Sequence, residues 1–189
     1  MVNPLPVGLA LSKMADEMKN HAPISVVSSF IRPANTTAYT IGDIIYPAVP
    51  AGPLVQVKAL KFENALPFGS SGFIVEAQLK LFSTQSTKLN ADLHLFTAPL
   101  TNTPVDNEPG TTVALADMGK HITTISFPDS VATEVMGITR YEVAPSKVVS
   151  AASGSTSLYG ILIAKNAYVP IASEKIVIQL GIVPRIAIP

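Results

Sequence analysis

Cysteine and tryptophan are both absent from this chain of 189 residues. Without a thiol, the sequence offers no disulfide framework, no cysteine-based zinc or iron–sulfur site and no thiol nucleophile. Without tryptophan, and with aromatic residues at only 6%, it has few side chains on which nucleic-acid bases or sugar rings could stack. The length corresponds to one domain of ordinary size, which can bury a core without covalent staples.

Charge is also scarce. Charged residues make up 14% of the chain, against roughly 25% in typical soluble domains. The 13 basic residues balance the 13 acidic ones, so there is no overall attraction to DNA, RNA or an anionic membrane, and we expect no nucleic-acid and no membrane partner. A surface so poor in charge suggests that another molecule covers part of it, because large interfaces are depleted in Lys, Glu and Asp.

The N-terminal segment has helical periodicity. Leu11, Met14 and Met18 recur at helical spacing with charged residues between them, which predicts an amphipathic helix over about 7–20 that ends before Pro23. The sequence thus divides into an N-terminal helical arm, residues 1–23, and a β-sandwich domain, residues 24–189. The apolar face of the arm could contact a neighbouring subunit or cover an open edge of its own sandwich.

After the arm the hydrophobic period changes to two. It predicts strands at 24–31, 39–46, 54–62, 72–82, 91–96, 111–115, 121–127, 138–143, 157–164 and 174–183. We expect residues 69–72 to form a hairpin connection, 97–110 to be a loop, and 144–157 to be a loop or weak edge strand. Short strands punctuated by the 16 prolines and by Gly and Asn predict an all-β fold, a β-sandwich or jelly roll of about 8–10 strands.

The clearest alternation lies in the strand predicted at 72–82. Phe73, Val75, Ala77, Leu79 and Leu81 fall on one face, and the polar residues between them fall on the other. Ile74 is the single exception. The pattern predicts that these five apolar side chains share the core face.

Asp92 and His94 are the only candidate catalytic pair in the sequence. A carboxylate can orient an imidazole in a catalytic dyad, but Leu93 and Leu95 are the apolar pair of this strand, so residues 92 and 94 are expected on the solvated face. No nucleophile elbow and no phosphate-cradling glycine loop accompanies them. The three histidines lack metal-ligand spacing. We therefore predict no catalytic residue, no metal site, no cofactor and no enzymatic activity.

Several short motifs occur in a recognisable order. They are Tyr-Thr-Ile-Gly-Asp-Ile-Ile at 39–45, the strand pair through 61–62 and 69–75, Leu-His-Leu-Phe-Thr-Ala-Pro at 93–99, Asp-Asn-Glu at 106–108 and Ser-Leu-Tyr-Gly-Ile-Leu at 157–162. In that order they resemble a group of small tailed-bacteriophage and prophage virion proteins, over about residues 36–183. The sequence departs from that pattern where Glu108-Pro109-Gly110 replaces the apolar residue that usually follows Asp-Asn, and the arm is not part of the pattern.

The resemblance implies a structural component of the virion, and in particular a capsid decoration (cement) protein that stabilises the head by bridging major capsid subunits. It implies two partners, the major capsid protein and further copies of this chain in a homotrimer that suits threefold sites. The expected location is the capsid surface, with the host cytoplasm during assembly. A tail, neck or fibre-associated β-sandwich protein is the alternative, and a hydrolase or carbohydrate-binding module is the third possibility.

Contacts with partners are expected in the N-terminal arm and in two charge-poor stretches, residues 97–115 and 144–173. In the arm the candidate contact residues are Leu11, Met14 and Met18. In the loop 97–110 they are Pro99, Pro104 and Pro109. The proline-rich loop suits this role because proline restricts the unfolded chain and favours an ordered loop.

Overall fold

The structure is a computed structural model that describes residues 23–47, 60–84, 87–102, 104–113 and 115–185. Within these ranges it contains eleven strands: β1 Ile24–Ile31, β2 Ile44–Ile45, β3 Leu60–Phe62, β4 Ser71–Leu81, β5 Ala91–Phe96, β6 His121–Phe127, β7 Thr133–Val135, β8 Ile138–Val143, β9 Lys147–Ser150, β10 Leu158–Ala164 and β11 Lys175–Arg185. A short helix α1 spans Leu115–Met118, and 3₁₀ turns span Gly110–Thr112 and Asp129–Val131. No helix in the described ranges is long and apolar enough to cross a membrane.

The strands form two antiparallel sheets. The six-stranded sheet has the order β1-β11-β4-β8-β7, with β9 also paired to β4, and the five-stranded sheet has the order β2-β10-β5-β6, with β3 also paired to β10. The chain changes sheet repeatedly, for example between β3 and β4 and between β10 and β11. The apolar faces of both sheets meet in one core. The prediction of an all-β sandwich is confirmed.

Side-chain alternation accounts for the core. Along β1, Val26, Ser28 and Phe30 are buried, whereas Val27 and Ser29 between them are exposed. In the five-stranded sheet, Leu93 and Leu95 of β5 are fully buried, as their period of two predicts. Each such side chain contributes about 1.5–3 kcal/mol through removal of apolar surface from water.

A β-bulge interrupts β4 near Val75. On β11 the pairing residue advances by one, from Gly181 to Ile182, while on β4 it moves by two, from Glu76 to Ile74. Val75 is therefore the extra residue of the bulge, and an extra residue reverses the phase of alternation beyond it.

The reversal corrects the prediction for the start of this strand. Ile74 is fully buried, whereas Phe73 is 41% and Val75 is 37% exposed. Ala77 and the later apolar residues of β4 do face the core, as predicted. The prediction that Phe73 and Val75 share that face was wrong, because a count of alternating residues assumes a regular strand.

Two further predictions were wrong. Residues 111–115 do not form a strand, because the segment turns through the 3₁₀ and α1 helices to pack Val113 on the outside of a sheet. Residues 69–72 do not connect a hairpin, since β3 and β4 belong to different sheets.

Segment 144–157 contains β9. The helix predicted at 7–20 and the first part of the strand predicted at 54–62 lie outside the described residues.

Candidate interaction surface

Residues 97–102 and 104–113 form a strap across the outer face of the five-stranded sheet. This face has its own small apolar cluster, made of Ile44, Tyr46, Phe96 and Ile161. Leu100 and Val113 of the strap pack against that cluster. The strap therefore covers apolar sheet surface, and it contains the loop that the sequence predicts as a contact region.

Asp117 of α1 anchors the first half of the strap. Its buried carboxylate accepts hydrogen bonds from the Thr101 backbone N–H at 2.9 and 3.0 Å and from the Thr101 hydroxyl at 2.8 Å. Lys120 Nζ lies 2.6 Å from the same carboxylate and donates to the Pro99 carbonyl at 2.9 Å. Burial alone would raise the pKa of Asp117, but the bonds from Lys120 and Thr101 outweigh it and lower that pKa below its ordinary value. The carboxylate is thus charged at neutral pH.

Asp106 anchors the second half. Its Oδ1 accepts from the Tyr39 hydroxyl at 2.6 Å and from the Tyr46 backbone N–H at 2.8 Å. Its Oδ2 accepts from Arg32 Nη2 at 3.2 Å. Because Arg32 directly follows β1 of the six-stranded sheet, while Tyr46 follows β2 of the other sheet, Asp106 ties the strap to both sheets.

The Arg32 side chain completes this anchor. It is fully buried, its guanidinium carbon lies 4.6 Å from the centre of the Tyr39 ring, and its Nε donates to the Tyr39 hydroxyl oxygen. Burial, followed by the hydrogen bond to Asp106, raises the pKa of Tyr39 well above its ordinary value. The phenol therefore stays protonated and remains a donor to the Asp106 carboxylate.

Backbone hydrogen bonds fix the same half of the strap along β2. Ile44 N–H donates to the Glu108 carbonyl at 2.7 Å, and Asn107 N–H donates to the Ile44 carbonyl at 2.8 Å. Gly110 N–H donates to the Gly42 carbonyl at 2.6 Å. Gly42 has a φ of +96°, a conformation that glycine adopts without strain. Contacts within the chain therefore hold this half of the strap in place.

Apolar side chains point outward from this region. Leu115 is 91% exposed, Met118 59% and Val105 43%. Pro99 and Pro109 are exposed as well, whereas Pro104 is buried. We call Pro99, Val105, Pro109, Leu115 and Met118 the strap surface. The predicted contact role of the prolines stays a prediction, and Pro99 and Pro109 are the two that a partner could reach directly.

Sequence reasoning missed Leu115 and Met118 because it assigned residues 111–115 to a strand. The spacing of Asp117 and Lys120, three residues apart, was the available signal for a helical turn there. The other predicted contact residues, Leu11, Met14 and Met18, lie outside the described residues.

Asp92 and His94 lie on the outer face of β5, away from the core. Asp92 accepts from the Ser126 hydroxyl at 2.7 Å and faces Lys165 Nζ at 3.3 Å. His94 Nδ1 lies 3.1 Å from the Thr124 hydroxyl, which is also 3.2 Å from His121 Nε2.

The two histidine rings are 5.5 Å apart. Burial, and then the neighbouring His121, lower the pKa of His94. No sequence pattern indicates this contact, because it depends on Thr124 being the cross-strand partner of His94. In the described part of the chain no group of three His, Asp or Glu side chains is placed to hold a metal ion.

Comparisons with known proteins give distant similarities only. No family model matches, and none of the curated proteins matches. Similar solved structures include a chain of the acid-stable capsid structure of Helicobacter pylori bacteriophage KHP30, at 10% identity and a TM-score of 0.30 over 88% of this chain and 96% of that one. A chain of a heated full particle of Israeli acute paralysis virus has 10% identity and a TM-score of 0.27 over 100% of this chain and 89% of that one.

A chain of Triatoma virus has 13% identity and a TM-score of 0.24 over 100% of this chain and 74% of that one. At TM-scores this low, none of these similarities carries an argument about fold or function.

Proposed function

We propose that this chain is a non-enzymatic structural protein of a bacteriophage virion and acts as a capsid decoration protein at the capsid surface. The observation that carries the proposal is the reversed placement of polar and apolar groups in α1. Asp117 points inward and is fully buried, while Leu115 and Met118 point outward. A turn that only covered its own sheet would place its apolar side chains inward.

The energetics of the strap surface favour binding of another protein. Burying Leu115 or Met118 in an interface contributes about 1.5–3 kcal/mol for each side chain that becomes fully covered. The two anchors at Asp106 and Asp117 already fix the strap, so binding requires little ordering of the loop. Asp117 and Lys120 are paired with each other, which reduces the desolvation cost of a partner placed next to them.

In the proposed mechanism, binding of this protein is thermodynamically linked to assembly of the shell. A protein that binds the assembled shell more tightly than free major capsid subunits shifts the equilibrium towards the shell. A homotrimer would present three strap surfaces at once, and each contact would raise the effective concentration of the next. The order of phage-like motifs along residues 36–183 supports a virion as the place of action.

Copy number and position in intact particles test the proposal. We expect many copies distributed over the head, found by quantitative mass spectrometry and by antibody labelling in electron micrographs. A few copies at one vertex or along the tail would instead indicate the tail, neck or fibre role.

Particles assembled without the protein test the stabilising role. We expect them to release their DNA at a lower temperature than complete particles, and re-addition of the purified protein should restore the release temperature. Equal heat resistance with and without the protein would contradict the decoration role.

A further inference from the structure

A second exposed apolar surface lies on the outer face of the six-stranded sheet. Phe73 of β4 pairs in register with Val183 of β11 on one side and with Val148 of β9 on the other. Phe73 is 41% and Val148 57% exposed, and Val183 is half-buried. Val75, the bulged residue, adds a side chain that is 37% exposed. We call these four residues the outer row.

The bulge in β4 creates the outer row. Without the extra residue, Phe73 would face the core and Ile74 would face outward, as the alternation of the rest of β4 predicts. A bulge is a common means of re-aiming side chains at a functional or contact surface. Three neighbouring strands thus present apolar side chains side by side, on the face of the sandwich opposite to the strap.

The chain enters the sandwich at this row. Ile24, the first residue of β1, pairs with Ile182 of β11. The preceding residue, Pro23, therefore lies next to the position of Val183, at the β1 end of the outer row. Residues 1–22 precede this point, and they include the segment 7–20 with its predicted apolar face.

A helix over residues 7–20 would be long enough to cross the row. A helix over residues 7–20 spans about 21 Å at 1.5 Å per residue. The distance from β1 across β11 and β4 to β9 is about 14 Å, since neighbouring strands lie about 4.8 Å apart. The three linking residues 21–23 can span at most about 10 Å, so a helix ending at residue 20 would be within reach of the outer row of its own chain.

We propose that residues 7–20 dock on the outer row of the same chain through Leu11, Met14 and Met18. Docking removes Phe73 and Val148 from water, and the short link makes the contact intramolecular, with a high effective concentration. The two apolar surfaces then have separate occupants. The arm takes the outer row, and the strap surface stays free for a partner.

Disulfide trapping tests the docking directly, because the chain has no cysteine of its own. Leu11, Met14 and Met18 are replaced by Cys one at a time in the full chain, each together with Val148→Cys. A disulfide forms only where the two Cα atoms approach within roughly 7 Å. We expect at least one pair to form an intramolecular disulfide in most molecules, seen as a faster-migrating monomer on non-reducing gels.

The matched control combines each arm substitution with Val135→Cys. Val135 is 59% exposed on β7, at the far edge of the same sheet, and we expect its pairs to stay reduced. The proposal is overturned if no Val148 pair exceeds its Val135 control. It is also overturned if the disulfide joins two chains, which would place the arm on a second copy.

Limited trypsin digestion of the full chain provides a second measurement. Docking should protect the peptide bonds after Lys13 and Lys19, and Phe73→Ser should accelerate cleavage there while Val135→Ser should not. An unchanged cleavage rate in Phe73→Ser would contradict the docking. Neither measurement depends on a virion, so a failure here is distinct from a failure of the proposed function.

Discussion

Thr101 and Asp117 are joined by hydrogen bonds from both the backbone N–H and the hydroxyl of Thr101 to one buried carboxylate. The contact spans 16 residues of sequence and orients α1 so that its carboxylate points inward. Leu115 and Met118 consequently remain outside. The anchor and the exposed apolar residues of the strap surface are thus two consequences of the same hydrogen bonds.

Loss of this carboxylate should loosen the first half of the strap. Asp117→Ala leaves the N–H and hydroxyl of Thr101 without their acceptor, and we expect the free energy of unfolding to fall by about 1–3 kcal/mol. Amide hydrogen exchange at Thr101 should accelerate by more than exchange in β5. Glu142→Ala is the control, because Glu142 lies in an exposed ion pair with Arg140 and its loss should change stability by at most about 1 kcal/mol. Equal exchange at Thr101 in the two variants would argue against the anchor.

Stability should decrease on mild acidification because of His94. Burial and the neighbouring His121 lower the pKa of His94 below its ordinary value of 6.5. The folded state therefore resists protonation more than the unfolded state does. The stability that neutral His94 contributes to the folded state is fully present above pH 6.5. It is lost as the pH falls from there through the lowered pKa that His94 has in the folded state.

The measurement is the midpoint of thermal unfolding as a function of pH below 6.5. In His94→Gln this midpoint should depend less on pH than in the unchanged chain. His21→Gln is the control, since His21 precedes β1 in the sequence. The same slope in the unchanged chain and in His94→Gln would count against this assignment.

The period of two located strands where the strands are regular, as at 24–31 and 91–96, and it established the sandwich. It could not locate the bulge at Val75, because the extra residue is visible only in the pairing with β11. The prolines and the low charge of residues 97–110 indicated this loop as a contact region. No sequence pattern indicated Leu115 and Met118, because their exposure depends on the long-range contact of Asp117.

The strap surface should matter for binding and not for folding. We expect Leu115→Ser with Met118→Ser to leave the unfolding free energy within about 0.5 kcal/mol, as is usual for exposed positions. Binding to the partner should weaken at least tenfold, since losing two buried side chains removes about 3 kcal/mol or more. Co-sedimentation with capsids that lack the protein measures the affinity. Met136→Ser, at a residue 96% exposed in the β7–β8 turn, should bind normally, and equal affinity of both variants would exclude the strap surface as the contact.

The buried pair of Arg32 and Asp106 should be the most sensitive polar contact of the strap. Asp106→Ala leaves the Arg32 guanidinium, whose side chain is 0% exposed, without its carboxylate, so we expect a loss of about 3–5 kcal/mol in denaturant unfolding. Adding Arg32→Met removes the uncompensated charge and should recover part of that loss. If Asp106→Ala destabilised the protein no more than Glu142→Ala, the ion pair would not hold the strap. If the double variant were less stable than Asp106→Ala, then Arg32 would stabilise the fold mainly through its stacking on Tyr39 rather than through its charge.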